Sequence, residues 1–208
     1  MPNSAESHGS ASPNADLVGY ELLIGVGGGI AAYKVCQVVS RLVQRGCGVT
    51  VTMTEAGTRF VTPLTFQSLT QRQVFTTIWA QPGYYEPQHL SLSEAADLFL
   101  VAPATADLIG KFAAGIADDL VTTLMIGRDC PAMLAPTMNT RMWENPIVQR
   151  NIRTLAEAGY VLIEPGEGWL ACRTVGRGRM AEAETIIDAV VAALKSQPPR
   201  NSRSERTS

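Results

Sequence analysis

Leu22-Leu23-Ile24-Gly25-Val26 runs directly into Gly27-Gly28-Gly29, a helical pattern spans Ile30 to Arg45, and Val49-Thr50-Val51-Thr52-Met53 follows as a second apolar run. Strand, glycine turn, helix and strand in that order form a right-handed βαβ unit, and two strands joined by such a crossover lie parallel. Ile30, Tyr33, Val38, Leu42 and Val43 suit the buried face of the helix, and Gly46 and Gly48 close it. A parallel sheet needs helices on both faces, so the rest of the chain must keep alternating.

It does. Asp97-Leu98-Phe99-Leu100-Val101-Ala102 reads as a buried strand stopped by Pro103, and helical segments follow near Leu108–Ala114 and Asp118–Met125. Pro131 introduces a strand at Ala132–Ala135. Asn145-Pro146 is a capped helix start with proline at its first position, leading to about Ala158. Tyr160–Ile163 is a further strand and Glu182–Lys195 a last amphipathic helix; Thr54 to Gln88 has no clear period. The expectation is a single α/β domain, doubly wound and Rossmann- or flavodoxin-like, with five or six mostly parallel strands. Its ligand should lie beyond their carboxyl ends.

A length of 208 residues with 46% hydrophobic content suits one such domain. Residues 1–16 and 196–208 are polar and low in apolar content, so a disordered arm and tail are expected around residues 17–195. The arm lacks the apolar core of a secretory signal, and no run reaches the roughly 18–20 residues that span a bilayer. A net charge of -2 gives no reason to expect nucleic acid or membrane as partner. Cys36, Cys47, Cys130 and Cys172 have no zinc-type spacing, so reduced cytoplasmic thiols and no metal are expected. His8 lies in the arm, which leaves His89 as the one imidazole of the domain.

Each strand end carries a motif. Gly28, Gly29 and Ile30 open a helix whose backbone N–H groups suit a phosphate, although neither a dinucleotide fingerprint nor a Walker loop is complete. Thr54 follows the second strand. Ala102-Pro103-Ala104-Thr105-Ala106-Asp107-Leu108 follows the third, where Thr105 can cap a helix while keeping its hydroxyl toward a ligand. Gly115-Ile116-Ala117-Asp118-Asp119-Leu120 comes next, with Asp118 read as a helix cap. Pro136-Thr137-Met138-Asn139-Thr140-Arg141-Met142-Trp143 follows the strand at Ala132–Ala135; the Asn139 amide suits a carboxylate, and Trp143 is expected in the core. Last come Ala171-Cys172-Arg173 and Gly176-Arg177-Gly178-Arg179-Met180, read as a flexible glycine loop.

In order and spacing these motifs resemble the homo-oligomeric flavin-containing cysteine decarboxylase family, over about Glu21 to Met180. The resemblance implies FMN held by Gly28, Gly29, Ile30, Thr54, Thr105, Ala106, Asp107, Leu108 and Thr137. It implies a catalytic His89, a proton-donating Cys172, and a substrate bound by Asn139 and Met142. The implied reaction is decarboxylation of 4'-phosphopantothenoyl-L-cysteine to 4'-phosphopantetheine and CO2 in coenzyme A biosynthesis, through thioaldehyde and enethiol intermediates. A homotrimer or dodecamer is the implied assembly. The chain departs from the family pattern at Gly27 and Gly29, where hydroxyls are usual, at Asp107 for Asn, at Thr137 for Ala and at Arg173 for Gly. The stretch after Met180 is too short for the cysteine-ligating domain that bacterial relatives carry, so that half is not expected here. A peptidyl-cysteine decarboxylase, a flavin prenyltransferase and a non-catalytic flavoprotein regulator remain open alternatives.

Overall fold

The computed structural model describes residues 15–79 and 88–200, with the side chains of residues 88–91 outside the description. In chain order the elements are β1 (Glu21–Val26), α1 (Ala32–Gln44), β2 (Gly48–Met53), α2 (Glu55–Thr58), α3 (Pro63–Thr70), β3 (Val74–Phe75), α4 (Gln88–Ala95) and β4 (Leu98–Ala104). They continue with α5 (Ala106–Ala114), α6 (Leu120–Gly127), β5 (Ala132–Pro136), α7 (Thr140–Trp143), α8 (Pro146–Glu157), β6 (Val161–Leu162), β7 (Gly166–Trp169), β8 (Val175–Arg179) and α9 (Ala183–Lys195).

Six strands form one sheet in the order β3-β2-β1-β4-β5-β6, every pair parallel. Alternation along each strand builds two cores. Leu22, Ile24 and Val26 of β1 face α1 and α9, whose Val35, Val38, Val39, Leu42, Ile186, Ile187 and Val190 are buried with them. Leu23, Phe99 and Val101 face the other way, against Ile109 and Phe112 of α5, Val121 and Leu124 of α6 and Leu155 of α8. Burying a Leu, Ile, Val or Phe side chain stabilises by roughly 1.5–3 kcal/mol, so both layers are strongly held to the sheet. The chain reverses its winding between β1 and β4, which places a crevice at the carboxyl ends of these two neighbours.

The expected fold class stands, with local corrections. Ile30 and Tyr33 are exposed, because the chain becomes helical only at Ala32 and the buried stripe of α1 is Ala32, Val35, Val38, Val39 and Leu42. Pro103 does not stop its strand: β4 runs to Ala104 with a register shift after Val101. Part of the stretch read as having no clear period holds α2, α3 and the two-residue edge strand β3. The glycine loop is no loop but β8, paired antiparallel with β7. Asp16 and Ser196–Arg200, expected in the arm and tail, are placed: Asp16 pairs with Arg45 and Lys195, and Arg200 with Asp129. No helix among the described residues is long and apolar enough to cross a membrane.

Candidate functional site

The site is built where β1, β2, β4 and β5 end. After β1, the N–H of Gly29 bonds to the Gly27 carbonyl at 3.0 Å, and Ala32 to Gly29 at 2.9 Å, which folds the chain tightly into α1. Two of the three glycines are there for packing. A Cβ on Gly27 would lie 2.3 Å from the Pro103 carbonyl oxygen, and one on Gly28 would lie 2.3 Å from Ala56 Cβ. Gly29 is different, since a Cβ there would meet nothing nearer than Thr137 Cγ2 at 3.5 Å. The Gly28 and Ile30 N–H groups have no acceptor among the described residues, as an anion-binding turn requires.

After β2, Thr54 caps α2, its Oγ1 accepting from Gly57 N–H at 3.0 Å and donating to the Val26 carbonyl at 3.4 Å. That hydroxyl is occupied. Thr105 caps α5 by accepting from Leu108 N–H at 3.3 Å, so its own proton is still available to a ligand. After β5, Asn139 caps α7: Oδ1 accepts from Met142 N–H at 2.9 Å, so the exposed amide presents its NH2 as a donor only. A donor without a competing acceptor suits a carboxylate better than an amide ligand.

These turns enclose a cavity of about 770 Å³. Gly28, Gly29, Ile30, Thr54, Thr105, Ala106, Asp107, Leu108 and Thr137, the residues expected to hold the cofactor, all line it, as does Met142. Sequence reasoning missed Glu55, Ala56, Arg59, Lys111, Asp118, Asp119 and Met138, which also face it. Lys111 stands 3.4 Å from Asp107 and 3.1 Å from Asp118. Burial pulls its pKa down, but the carboxylates of Asp118 and Asp107 outweigh burial and hold it above the ordinary value. Asp107 and Lys111 are four apart on one helix, a pairing visible in the sequence. Asp118 is not the cap expected of it. Asp119 caps α6, in a reciprocal box with Thr122, and this frees Asp118 for Lys111.

Cys172 lies outside the cavity wall, in the turn between β7 and β8, exposed and 3.1 Å from Thr174 Oγ1. The other thiols are less accessible. Burial, then the Glu21 and Asp97 carboxylates, push Cys47 up to about 12, and burial pushes Cys36 and Cys130 upward as well. Arg173 has a φ of +64°, a conformation in which glycine is at ease and a side chain is not. Trp143 is buried, as expected. His89 belongs to the first turn of α4, and its side chain lies outside the described residues.

Where four parallel strands end, an anion-ready glycine turn, a helix-capping hydroxyl and apolar walls converge on one cavity. A flavoprotein family profile matches residues 10–195. The chain belongs to the flavoprotein family. It is 48% identical over 166 residues to the coenzyme A biosynthesis bifunctional protein CoaBC of Bacillus subtilis, covering 80% of this chain and 41% of that relative. Over 176 residues it is 41% identical to the Escherichia coli K12 protein of the same name, covering 85% and 43%. The chain thus spans about two fifths of the length of these curated relatives. Among solved structures it resembles a cysteine-to-serine variant of PPC decarboxylase complexed with pantothenoylaminoethenethiol, with a TM-score of 0.75, 30% identity and coverage of 83% of this chain and 97% of that one. It also resembles the FMN binding protein AtHal3, with a TM-score of 0.74, 31% identity and coverage of 86% and 99%.

Proposed function

We propose that this flavoprotein binds FMN and decarboxylates 4'-phosphopantothenoyl-L-cysteine to 4'-phosphopantetheine and CO2, a step of coenzyme A biosynthesis. The observation that carries the reading is that every residue expected to hold the cofactor lines one and the same cavity, with the Asn139 amide one residue beyond Met138 of its wall. FMN fits these residues. The free N–H groups of the Gly28–Ile30 turn suit its phosphate, Thr105 offers a hydroxyl, and Ile30, Ala106, Leu108 and Met138 offer apolar surface to a ring. When bound, FMN supplies a two-electron oxidation of the substrate CH2–SH to a thioaldehyde, the electron sink that departing CO2 requires, and later returns the hydride.

The chain's own groups do the rest. Asn139 donates to the substrate carboxylate and holds it over the cavity mouth. His89 serves as base in the oxidative half, imidazole being the side chain suited to proton transfer near neutral pH. Cys172 returns a proton to the enethiol carbon. We also propose a cytoplasmic homo-oligomer, trimeric or a dodecamer of trimers; the exposed apolar side chains of Ile30, Tyr33, Phe60 and Leu64 support a covered face.

Purified wild type, His89→Asn and Cys172→Ser, assayed anaerobically with phosphopantothenoyl-cysteine, test the assignments. The His variant is expected to release no CO2, and the Cys variant to release CO2 and accumulate enethiol. Equal turnover in all three would remove these roles.

A further inference from the structure

The hairpin that carries Cys172 is fastened to the loop that carries Asn139. Met138 N–H donates to the Gly178 carbonyl at 2.9 Å, Thr137 Oγ1 to the same oxygen at 3.4 Å, and Thr140 Oγ1 to the Arg177 carbonyl at 3.0 Å. Successive carbonyls of a regular strand point to opposite sides. Here those of Arg177 and Gly178 both meet one loop, which the φ of +114° at Gly178 allows. Two glycines let the backbones touch. A Cβ on Gly176 would fall 2.2 Å from Thr140 Oγ1, and one on Gly178 would fall 2.4 Å from the Met138 carbonyl oxygen.

Of the three donors, Met138 and Thr137 also line the cavity, whereas Thr140 does not. Its hydroxyl serves the seam alone. We propose that Thr140 is a positioning residue: it latches the Cys172 hairpin onto the Asn139 loop, so that the proton donor is in place before the enethiol can leave. This rests on the decarboxylase reading. Loss of CO2 from the oxidised substrate yields the enethiol with two electrons held on the flavin. In the complete reaction the hydride returns to one enethiol carbon and the Cys172 proton goes to the other. With the latch open the enethiol departs unreduced, and dioxygen takes the two electrons, giving hydrogen peroxide.

The test is product partition in air with Thr140→Val, which keeps the side-chain shape and removes the hydroxyl. CO2 release should stay close to wild type while the ratio of enethiol to phosphopantetheine rises about five- to tenfold, the population change that loss of one hydrogen bond brings. Amide exchange across residues 175–179 should quicken by a similar factor, and Thr140→Ser should behave as wild type. Gly176→Ala wedges the same seam from its other side and should give the same shift, and the double variant should add little. Unchanged partition in both Thr140→Val and Gly176→Ala would overturn the proposal, as would a Ser variant that behaves like Val. If Thr140→Val does not fold, Gly176→Ala decides alone. If wild type releases no CO2, the decarboxylase reading fails and exchange decides the latch: quickened upholds it, unchanged overturns it.

Discussion

At Gly28 one added carbon would lie 2.3 Å from Ala56 Cβ, at the wall of the cavity, with no flexible side chain to move aside. Overpacking of that kind costs about 1–3 kcal/mol, and Gly28→Ala should weaken FMN binding about tenfold or more, measured by flavin fluorescence quenching. Gly29 has room, so Gly29→Ser should fold normally and, by adding a hydroxyl that can donate to the phosphate, tighten FMN about three- to tenfold. Weaker binding in the serine variant would mean the phosphate sits elsewhere. The glycine run announced a tight turn, but not which glycine serves packing and which leaves space. That division depends on Pro103 and Ala56, which are distant in sequence. Asn139 was legible as a polar residue at a strand end. That its oxygen is committed to Met142 N–H, leaving only a donor, belongs to the capping geometry of α7.

The β7–β8 hairpin shows at the level of an element what pattern reading misses. Val175-Gly176-Arg177-Gly178-Arg179 lacks the apolar alternation of a strand and holds two glycines, so it reads as a mobile loop. It is a strand because its partners are β7 and the Thr137–Thr140 loop, and those contacts require glycine at the near face. The same hairpin carries Arg173 at φ +64°, where a side chain costs roughly 1 kcal/mol relative to glycine. Arg173→Gly should therefore raise the exchange protection of the Leu170 amide, bonded across the turn to the Thr174 carbonyl at 2.8 Å, by about fivefold. Lower protection would show that the Arg173 side chain holds the turn. β3 escaped notice for a simpler reason: two residues at a sheet edge leave no periodicity to detect.

Across the whole molecule, the alternation of strands and helices was legible because both faces of a parallel sheet must be covered, and the β1/β4 crevice follows from that winding. The ends of the domain were less legible. Asp16 looks like part of a polar arm, yet the hydrogen bonds from Arg45, then Lys195, hold its carboxyl well below its ordinary value of 3.8. A depressed carboxylate pKa adds stability above the unfolded value, and that stability is lost as pH falls through the folded one. The urea midpoint should accordingly drop as pH is lowered below about 4, with a smaller drop in Asp16→Asn. Equal drops would mean the pairing contributes nothing.

The decisive measurement at this scale is stoichiometry: purified protein, loaded with FMN, is given phosphopantothenoyl-cysteine with oxygen excluded. CO2 and phosphopantetheine should appear in equal amounts over many turnovers, with the flavin oxidised at the end. A protein that takes up no FMN, or that holds it and releases no CO2, would contradict the central claim.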